Sequence, residues 1–457
     1  MSRVSLLSDL LGSLAPRAWF SDREAERTVS VGELRDLCRK LVRSKGEATG
    51  VRIAANILAG LRGLDAERHE AFFRMLADDF SPDPKALVET ARAFAADPGP
   101  TTLARLQHEA EPPRQELFRR LNLAPGGTAE LVKLREKLLP LVAKDRETFK
   151  PVDMDLRHLF GSWFNRGFLV LKPIDWNTSA KLLEKIIEYE AVHAIDSWDA
   201  LRSRLAPSDR RCFAFFHPSI PDDPLIFVEV ALTREIPASI GEVLTDEREH
   251  LAANEAETAT FYSISNCHKG LAGVSFGSFL IKQVAEDLKE SIPNLKTFVT
   301  LSPVPTFMAW LRDLDEAQKD QLETSEKRAL TIIEDENWAF DEEKAEAAKA
   351  GLLSLAARYF LLARRGDGQP VDPVARFHLG NGAMLNRIMH RGDISKSGLS
   401  RAAGLMVNYL YDLPRVEDRH EAYADASTVA ASKQVTNLLP SGAEKASKRD
   451  NTKGQAA

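Results

Sequence analysis

The stretch TFYSISNCHKGLAGVSFGSFLIKQVAEDLKESIPN, Thr260–Asn294, decides how the larger part of this 457-residue chain is read. It opens on a β-branched and aromatic run, Thr260 to Ile264, which reads as a strand. A glycine-rich turn follows, and then an amphipathic helix in which Phe276, Leu280, Val284 and Leu288 recur at four-residue intervals before Pro293 ends it. Gly270, Gly273 and Gly277 let backbone amides approach an anion closely, and the helix N-terminus adds unsatisfied N–H groups and a partial positive charge. A pyrophosphate suits such a turn. The spacing matches neither GxxxxGK(S/T) nor GxGxxG, so neither a nucleoside-triphosphate loop nor a dinucleotide site is the natural reading. Taken alone, the pattern also fits an ordinary strand-to-helix connection.

Outward from this segment, short runs at Phe168 to Leu171, Cys212 to Phe216, Leu225 to Leu232 and Thr297 to Leu301 read as further strands. Ser179 to Glu190 reads as a helix between two of them, and PSIPDDP as a hairpin connection. Beyond Ser302 the chain turns helical again, including Asp341 to Arg365, before a loop-rich segment around His378. Up to about Lys150 the periodicity is helical throughout, as in Val31, Leu34, Leu37 and Leu41. Runs such as SPDP at Ser81 and DPGP at Asp97 break it into short antiparallel helices. The expected organisation is a helical domain over 1–160, a mixed α/β domain over 161–440 and a disordered tail over 441–457.

Composition narrows the function. A net charge of -6 from 61 basic and 67 acidic residues offers no broad basic face, which argues against nucleic acid as a partner. Cys38, Cys212 and Cys267 are odd in number and far apart, so neither a disulfide framework nor a zinc site is expected, and a reducing cytoplasm fits best. The first twenty residues resemble neither a signal peptide nor a spanning helix, the last five carry no SKL-type address, and no membrane association is expected. The ten histidines show no HExxH or similar ligand spacing, so no metal is expected.

Three further motifs follow the glycine turn in order: TLSPVPTF at Thr300, FHLGNGAMLNRI at Phe377 and GLMVNYLY at Gly404. Together with YSISNCHKGLAGVSFGSFLIKQV they resemble the malonyl-CoA decarboxylase family over about Phe160 to Tyr411. The resemblance implies an α+β fold, with an all-helical oligomerisation domain followed by a catalytic domain of the Gcn5-related acetyltransferase type. By the same resemblance the chain forms a homo-oligomer, a tetramer, that binds malonyl-CoA. The family's catalytic serine falls on Ser302 and its catalytic histidine on His378. Its coenzyme A loop falls on Ala272, Gly273, Val274, Ser275, Phe276, Gly277 and Ser278, beside Gly270, and its further serine and tyrosine on Ser263 and Tyr411. Many relatives carry a glutamate where this chain has Ser275, so a duty of that acid does not transfer.

The implied reaction suits these groups. Loss of carbon dioxide from a malonyl thioester leaves electron density that the thioester carbonyl accepts as an enolate, so the substrate is its own electron sink and no cofactor is called for. The protein must supply donors to the enolate oxygen and a proton to the carbon, the latter expected from His378 near neutral pH. Ser302 either accepts a proton, as the resemblance implies, or orients the malonyl group by hydrogen bonding. No GxSxG elbow surrounds it, so no acyl-serine is expected. Two other readings share the coenzyme A framework: a coenzyme A-dependent acyltransferase and a noncatalytic coenzyme A sensor.

Overall fold

The structure is a computed structural model and describes residues 29–274 and 280–440. These fall in two compact units. One takes the described residues up to Ser162 together with Gly270–Gly273, and the other takes Trp163–Lys269 and those from Val274 onward.

The first unit is helical, with helices Val31–Arg43, Glu47–Arg62, Ala66–Asp79, Pro84–Ala96, Pro100–Ala110, Pro113–Asn122, Gly127–Lys144 and Arg146–Trp163. The breaker runs act as helix starts. Asp83 caps the helix that Pro84 opens by accepting from Lys85 N–H, whereas Gly99, before Pro100, offers no side-chain cap and its own N–H donates to Thr102 Oγ1 at 3.1 Å. Leu34, Cys38, Phe72, Phe118, Leu131 and Phe160 are fully or almost fully buried in this unit, each on the apolar stripe of its own helix. The Pro84–Ala96 and Pro100–Ala110 hairpin is the exception, because it buries no hydrophobic side chain.

The second unit is built on strands β1 (Val170–Ile174), β2 (Arg210–His217), β3 (Ile220–Thr233), β4 (Thr258–Asn266), β5 (Thr297–Thr300), β6 (Ser302–Pro303), β7 (Met384–Met389) and β8 (Met406–Leu410). Their order is β1-β2-β3-β4-β5-β8-β6, with β7 on β8. All pairs are antiparallel except β4 with β5, whose crossover carries the helix Leu280–Ser291. This is the α+β, acetyltransferase-like architecture that the resemblance implies. Leu183 and Ile186 of the helix Ala180–Tyr189, with Leu201 and Leu205 of the helix Trp198–Leu205, cover Cys212, Ala214 and Phe227 of the sheet.

Two irregularities shape the middle of the sheet. The last rung between β4 and β5 joins Phe261 to Thr300, after which Leu301 N–H donates to Phe261 O at 2.8 Å and the strands part. From there β4 continues on β3 alone, while Ser302 and Pro303 pair with Val407 and Met406 of β8. On the other edge of β4 a bulge at Tyr262 makes Val230 face Phe261 and its neighbour Glu229 face Ser263. Adjacent β3 residues point to opposite faces, so the bulge turns Phe261 and Ser263 to opposite faces too.

Several elements differ from the sequence reading. The hairpin between β2 and β3 turns at Pro218 and Ser219, and the PDDP residues lie inside an irregular β3, because prolines are tolerated where the register slips. The first strand starts at Val170 and not at Phe168, which sits in a 3-10 turn capped by Asn165. His378 lies on the helix Pro373–Gly380, not in a loop, and β7 and β8 are strands that the reading did not place. Phe276, the N-terminal stretch and the tail from 441 lie outside the described residues.

The turn after His378 constrains the second unit tightly. Gly382 has φ of +78°, and a Cβ there would stand 2.0 Å from Val416 O. Gly382→Ala is therefore expected to cost about 2 kcal/mol or more, combining left-handed strain with a backbone clash. Urea unfolding followed by circular dichroism measures this, and an unchanged midpoint would show that the turn relaxes freely.

Candidate functional site

Three of the four non-loop residues expected from sequence come together on one face of the parted strands. Thr300 and Ser302 project from consecutive short strands to the same side, and the Ser302 hydroxyl donates to Thr300 Oγ1 at 2.8 Å. Thr300 Oγ1 also accepts Tyr409 N–H at 3.1 Å, and Asn408 Nδ2 donates to Thr300 O at 2.6 Å, so β8 holds the end of β5 in place. His378 lies over this corner, with its ring stacked on Tyr409 at 4.5 Å between centroids and an interplanar angle of 24°. Its Nε2 is 3.2 Å from Ser302 Oγ, and its Nδ1 is 2.9 Å from the Tyr411 hydroxyl.

The helix Pro373–Gly380 aims the imidazole. Asp372 caps it by accepting Ala375 N–H at 2.7 Å, Pro373 fills its first turn, and the buried Asp372 carboxyl takes the Tyr359 hydroxyl at 3.0 Å. Burial pushes Asp372 up to about 6. His378 is in the last turn, where the chain must leave the helix to enter β7.

The hydrogen-bond directions define a chain. Ser302 has one proton and gives it to Thr300, so toward His378 it accepts, and Nε2 carries the hydrogen. Nδ1 is then the acceptor of the Tyr411 O–H. This tautomer follows from the network. Burial pushes His378 down to about 3 and raises Tyr411 above its ordinary range, so the imidazole is neutral and the phenol protonated near pH 7. A ring excluded from water does not readily hold the charge.

Ser263 is not part of this group. The bulge turns it to the opposite face, where its hydroxyl donates to Glu190 Oε2 at 2.7 Å. The other oxygen of Glu190 accepts Val192 and His193 N–H at 2.8 and 2.7 Å, which ties β4 to the end of the helix Ala180–Tyr189. In register with Ser263, Glu229 is fully buried against Arg204 at 3.1 Å, and burial pushes its carboxyl up to about 8.

In the glycine turn, Gly273 takes φ of +71°, which only glycine adopts without strain, and a Cβ on Gly270 would stand 2.0 Å from Val132 O. Ala272 lies between them in a tight turn and Val274 is buried. Ser275, Phe276, Gly277 and Ser278 lie outside the described residues. Among the described residues no group of three or more histidine, cysteine, aspartate or glutamate side chains is placed to hold a metal ion, and no helix is long and apolar enough to cross a membrane. All three cysteines are buried free thiols.

Sequence reading missed Thr300 and Tyr409, although both stand in the quoted motifs. The available signal was strand alternation: each lies two residues before an expected site residue, and so on the same face. Asp372 had a signal too, as an aspartate before proline at a helix start.

A buried serine–histidine pair beside the point where two parallel strands part, in a mixed α+β sheet, is the arrangement of an enzyme active site. Residues 167–449 match the malonyl-CoA decarboxylase C-terminal domain, and residues 80–164 match the malonyl-CoA decarboxylase N-terminal domain. Malonyl-CoA decarboxylase, mitochondrial, from Anser anser anser is 34% identical over 431 residues, covering 87% of this chain and 85% of that protein. Crystal structures of malonyl-CoA decarboxylase from Rhodopseudomonas palustris and Agrobacterium vitis are 51% and 52% identical, each with a TM-score of 0.84. They cover 89% of this chain and 99% and 100% of theirs. The chain belongs to the malonyl-CoA decarboxylase family.

The neutral imidazole has a consequence for stability. An unfolded histidine takes a proton below about 6.5, while the folded one resists until about 3. The unfolded state therefore binds more protons in this window, and the His378 contribution is complete above pH 6.5 and lost progressively toward pH 3. Between pH 7 and 4.5 the parent should lose more unfolding free energy than His378→Asn, as read by urea titration at each pH. Parallel losses in the two proteins would mean that His378 titrates as a solvated ring.

Proposed function

We propose that this chain converts malonyl-CoA to acetyl-CoA and carbon dioxide at the Ser302–His378 pair, with the turn from Gly270 to Val274 holding the coenzyme A pyrophosphate. The observation that supports this reading is the 3.2 Å approach of Ser302 Oγ to a neutral, water-excluded imidazole backed by Tyr411. The thioester carbonyl takes the electrons released with carbon dioxide, so no cofactor enters the step. Overall the reaction consumes one proton, because a carboxylate is lost and a C–H bond is gained.

Burial lowers the proton affinity of His378, and a nearby anion raises it. A malonyl carboxylate entering beside the ring favours the charged form, so a proton from solvent is taken up at Nδ1, and the Tyr411 oxygen turns from donor to acceptor toward it. When the carboxylate leaves as carbon dioxide, the imidazolium loses its counter-charge and gives the proton at Nε2 to the alpha carbon. Ser302, freed from Thr300 when the substrate offers a better acceptor, orients the malonyl group or the enolate oxygen by its O–H. Tyr411 keeps the ring in register through Nδ1.

Ser302→Ala and His378→Asn should each lower kcat by on the order of 100-fold or more while coenzyme A still binds, and Tyr411→Phe by on the order of 10-fold. The assay uses malonyl-CoA without an amine or alcohol acceptor, and circular dichroism first establishes that each variant is folded. Near-native turnover in both folded Ser302 and His378 variants would remove the pair from the chemistry. Malonyl-CoA left intact by the parent would favour an acyltransferase or a sensor.

We also infer a homotetramer assembled through the helical unit, in the cytoplasm. The helical hairpin 84–110 has amphipathic composition yet buries no hydrophobic side chain within its own unit, and Val88 and Leu103 are 50% and 41% exposed. A second copy of the chain is the cover it calls for. Three free buried thiols suit a reducing compartment. Light scattering should give a tetramer for the full chain and a smaller species for Val88→Asp/Leu103→Glu. A monomeric parent at assay concentration would sink the inference.

A further inference from the structure

The carbonyls of the glycine turn are bound by arginines of the helical unit, to which Gly270–Gly273 belong. Arg135, 2% exposed, donates from Nη1 to Gly270 O at 2.7 Å and to Ala272 O at 2.9 Å. Its Nε is held by Asp153 Oδ1 at 2.8 Å, and the other oxygen of Asp153 takes Lys150 Nζ at 3.0 Å. Arg157, on the exposed side, donates from Nε to Gly273 O at 2.8 Å. Three carbonyls within four residues are thus pinned by two guanidinium groups.

Peptide planarity turns this into a statement about donors. In a trans peptide the N–H of the next residue points opposite to the carbonyl, so fixing the carbonyls of Gly270, Ala272 and Gly273 sends the N–H groups of Leu271, Gly273 and Val274 to the other side of the turn. Left-handed Gly273 adds the backbone alternation by which successive amides converge on an anion. A buried ion pair such as Arg135–Asp153 is a weak source of stability, since an apolar pair of similar volume does as well. Its distinctive product here is the orientation of the turn.

We propose that Arg135 and Arg157 are positioning residues that fix the amides of this turn as the seat of the coenzyme A pyrophosphate. This rests on the reading of the turn in the proposed function. It also explains why the turn needs glycine at 270, where the chain must lie against the helix Gly127–Lys144 for Arg135 to reach two carbonyls at once.

The test compares malonyl-CoA with malonyl-pantetheine, which has the same thioester but no pyrophosphate or nucleotide, on the full-length protein. The readout is the ratio of the two kcat/KM values. It should fall on the order of 10-fold in Arg157→Met, whose side chain is exposed and whose loss the fold tolerates, and further in Arg135→Met, with Arg135→Lys between. An unchanged ratio in folded Arg157→Met and Arg135→Met overturns the proposal, whether both substrates suffer equally, as for a structural role, or neither does. If Arg135→Met does not fold, Arg157→Met decides. Gly273→Val separates the two layers of the argument. A fall in its ratio with no fall in the arginine variants leaves the pyrophosphate turn standing and removes the arginines, whereas an unchanged ratio in Gly273→Val removes the turn and the proposal together.

Discussion

The parting of β4 from β5 just beyond the hydrogen bond from Leu301 to Phe261 is the constraint on which the second unit depends. Two parallel strands that stop pairing must find other partners for their backbone groups, and each does so differently. β4 stays on β3, while the chain beyond β5 crosses to β8 and forms the two-residue strand that carries Ser302. An opening between strands is thereby created, and beyond Phe261 β4 pairs with β3 alone among the described residues. The Thr300 carbonyl, at the point of departure, is taken by the Asn408 side chain, which closes what the missing rung would leave open.

Around that opening the polar groups are arranged as a directed chain: Tyr411 to His378, His378 to Ser302, Ser302 to Thr300. All four are buried, and burial is what makes the direction matter. In water a histidine exchanges tautomers and charge freely, but here the ring is neutral and each of its nitrogens has one partner. Because these groups are buried and linked, a change of charge at one of them alters the preference of its neighbours in the chain.

The opposite face of β4 handles charge in another way. Ser263 and Ser265 give their protons to Glu190, whose remaining lone pairs accept two backbone amides, so this carboxylate is fully satisfied. Glu229, one strand away, has only Arg204 and keeps an oxygen without a partner among the described residues, and burial raises its proton affinity accordingly. The bulge at Tyr262 separates these two chemistries, because without it Ser263 would project beside Ser302.

The sequence by itself determined the sequence of elements around the glycine turn, the helical character of the described residues up to about Lys150 and, through the resemblance its ordered motifs carry, the choice of Ser302 and His378 as a candidate pair, with Tyr411 set beside Ser263. These are local or pattern properties: period 2 against period 3.6, glycine where the backbone must come close, proline and aspartate where helices start. It did not reveal β7 and β8, whose Met384–Met389 and Met406–Leu410 runs are short and flanked by helices, and it left His378 in a loop because an eight-residue helix has too few turns to show a period. Only the tertiary structure decided that Ser263 faces away from Ser302, since one extra residue in β4 reverses a face without altering the strand signal. It alone decided that Arg135, 135 positions before Gly270, shares a unit with the glycine turn, and that His378 is neutral. Partners distant in sequence and exclusion of water are properties of packing, and no window along the chain contains them.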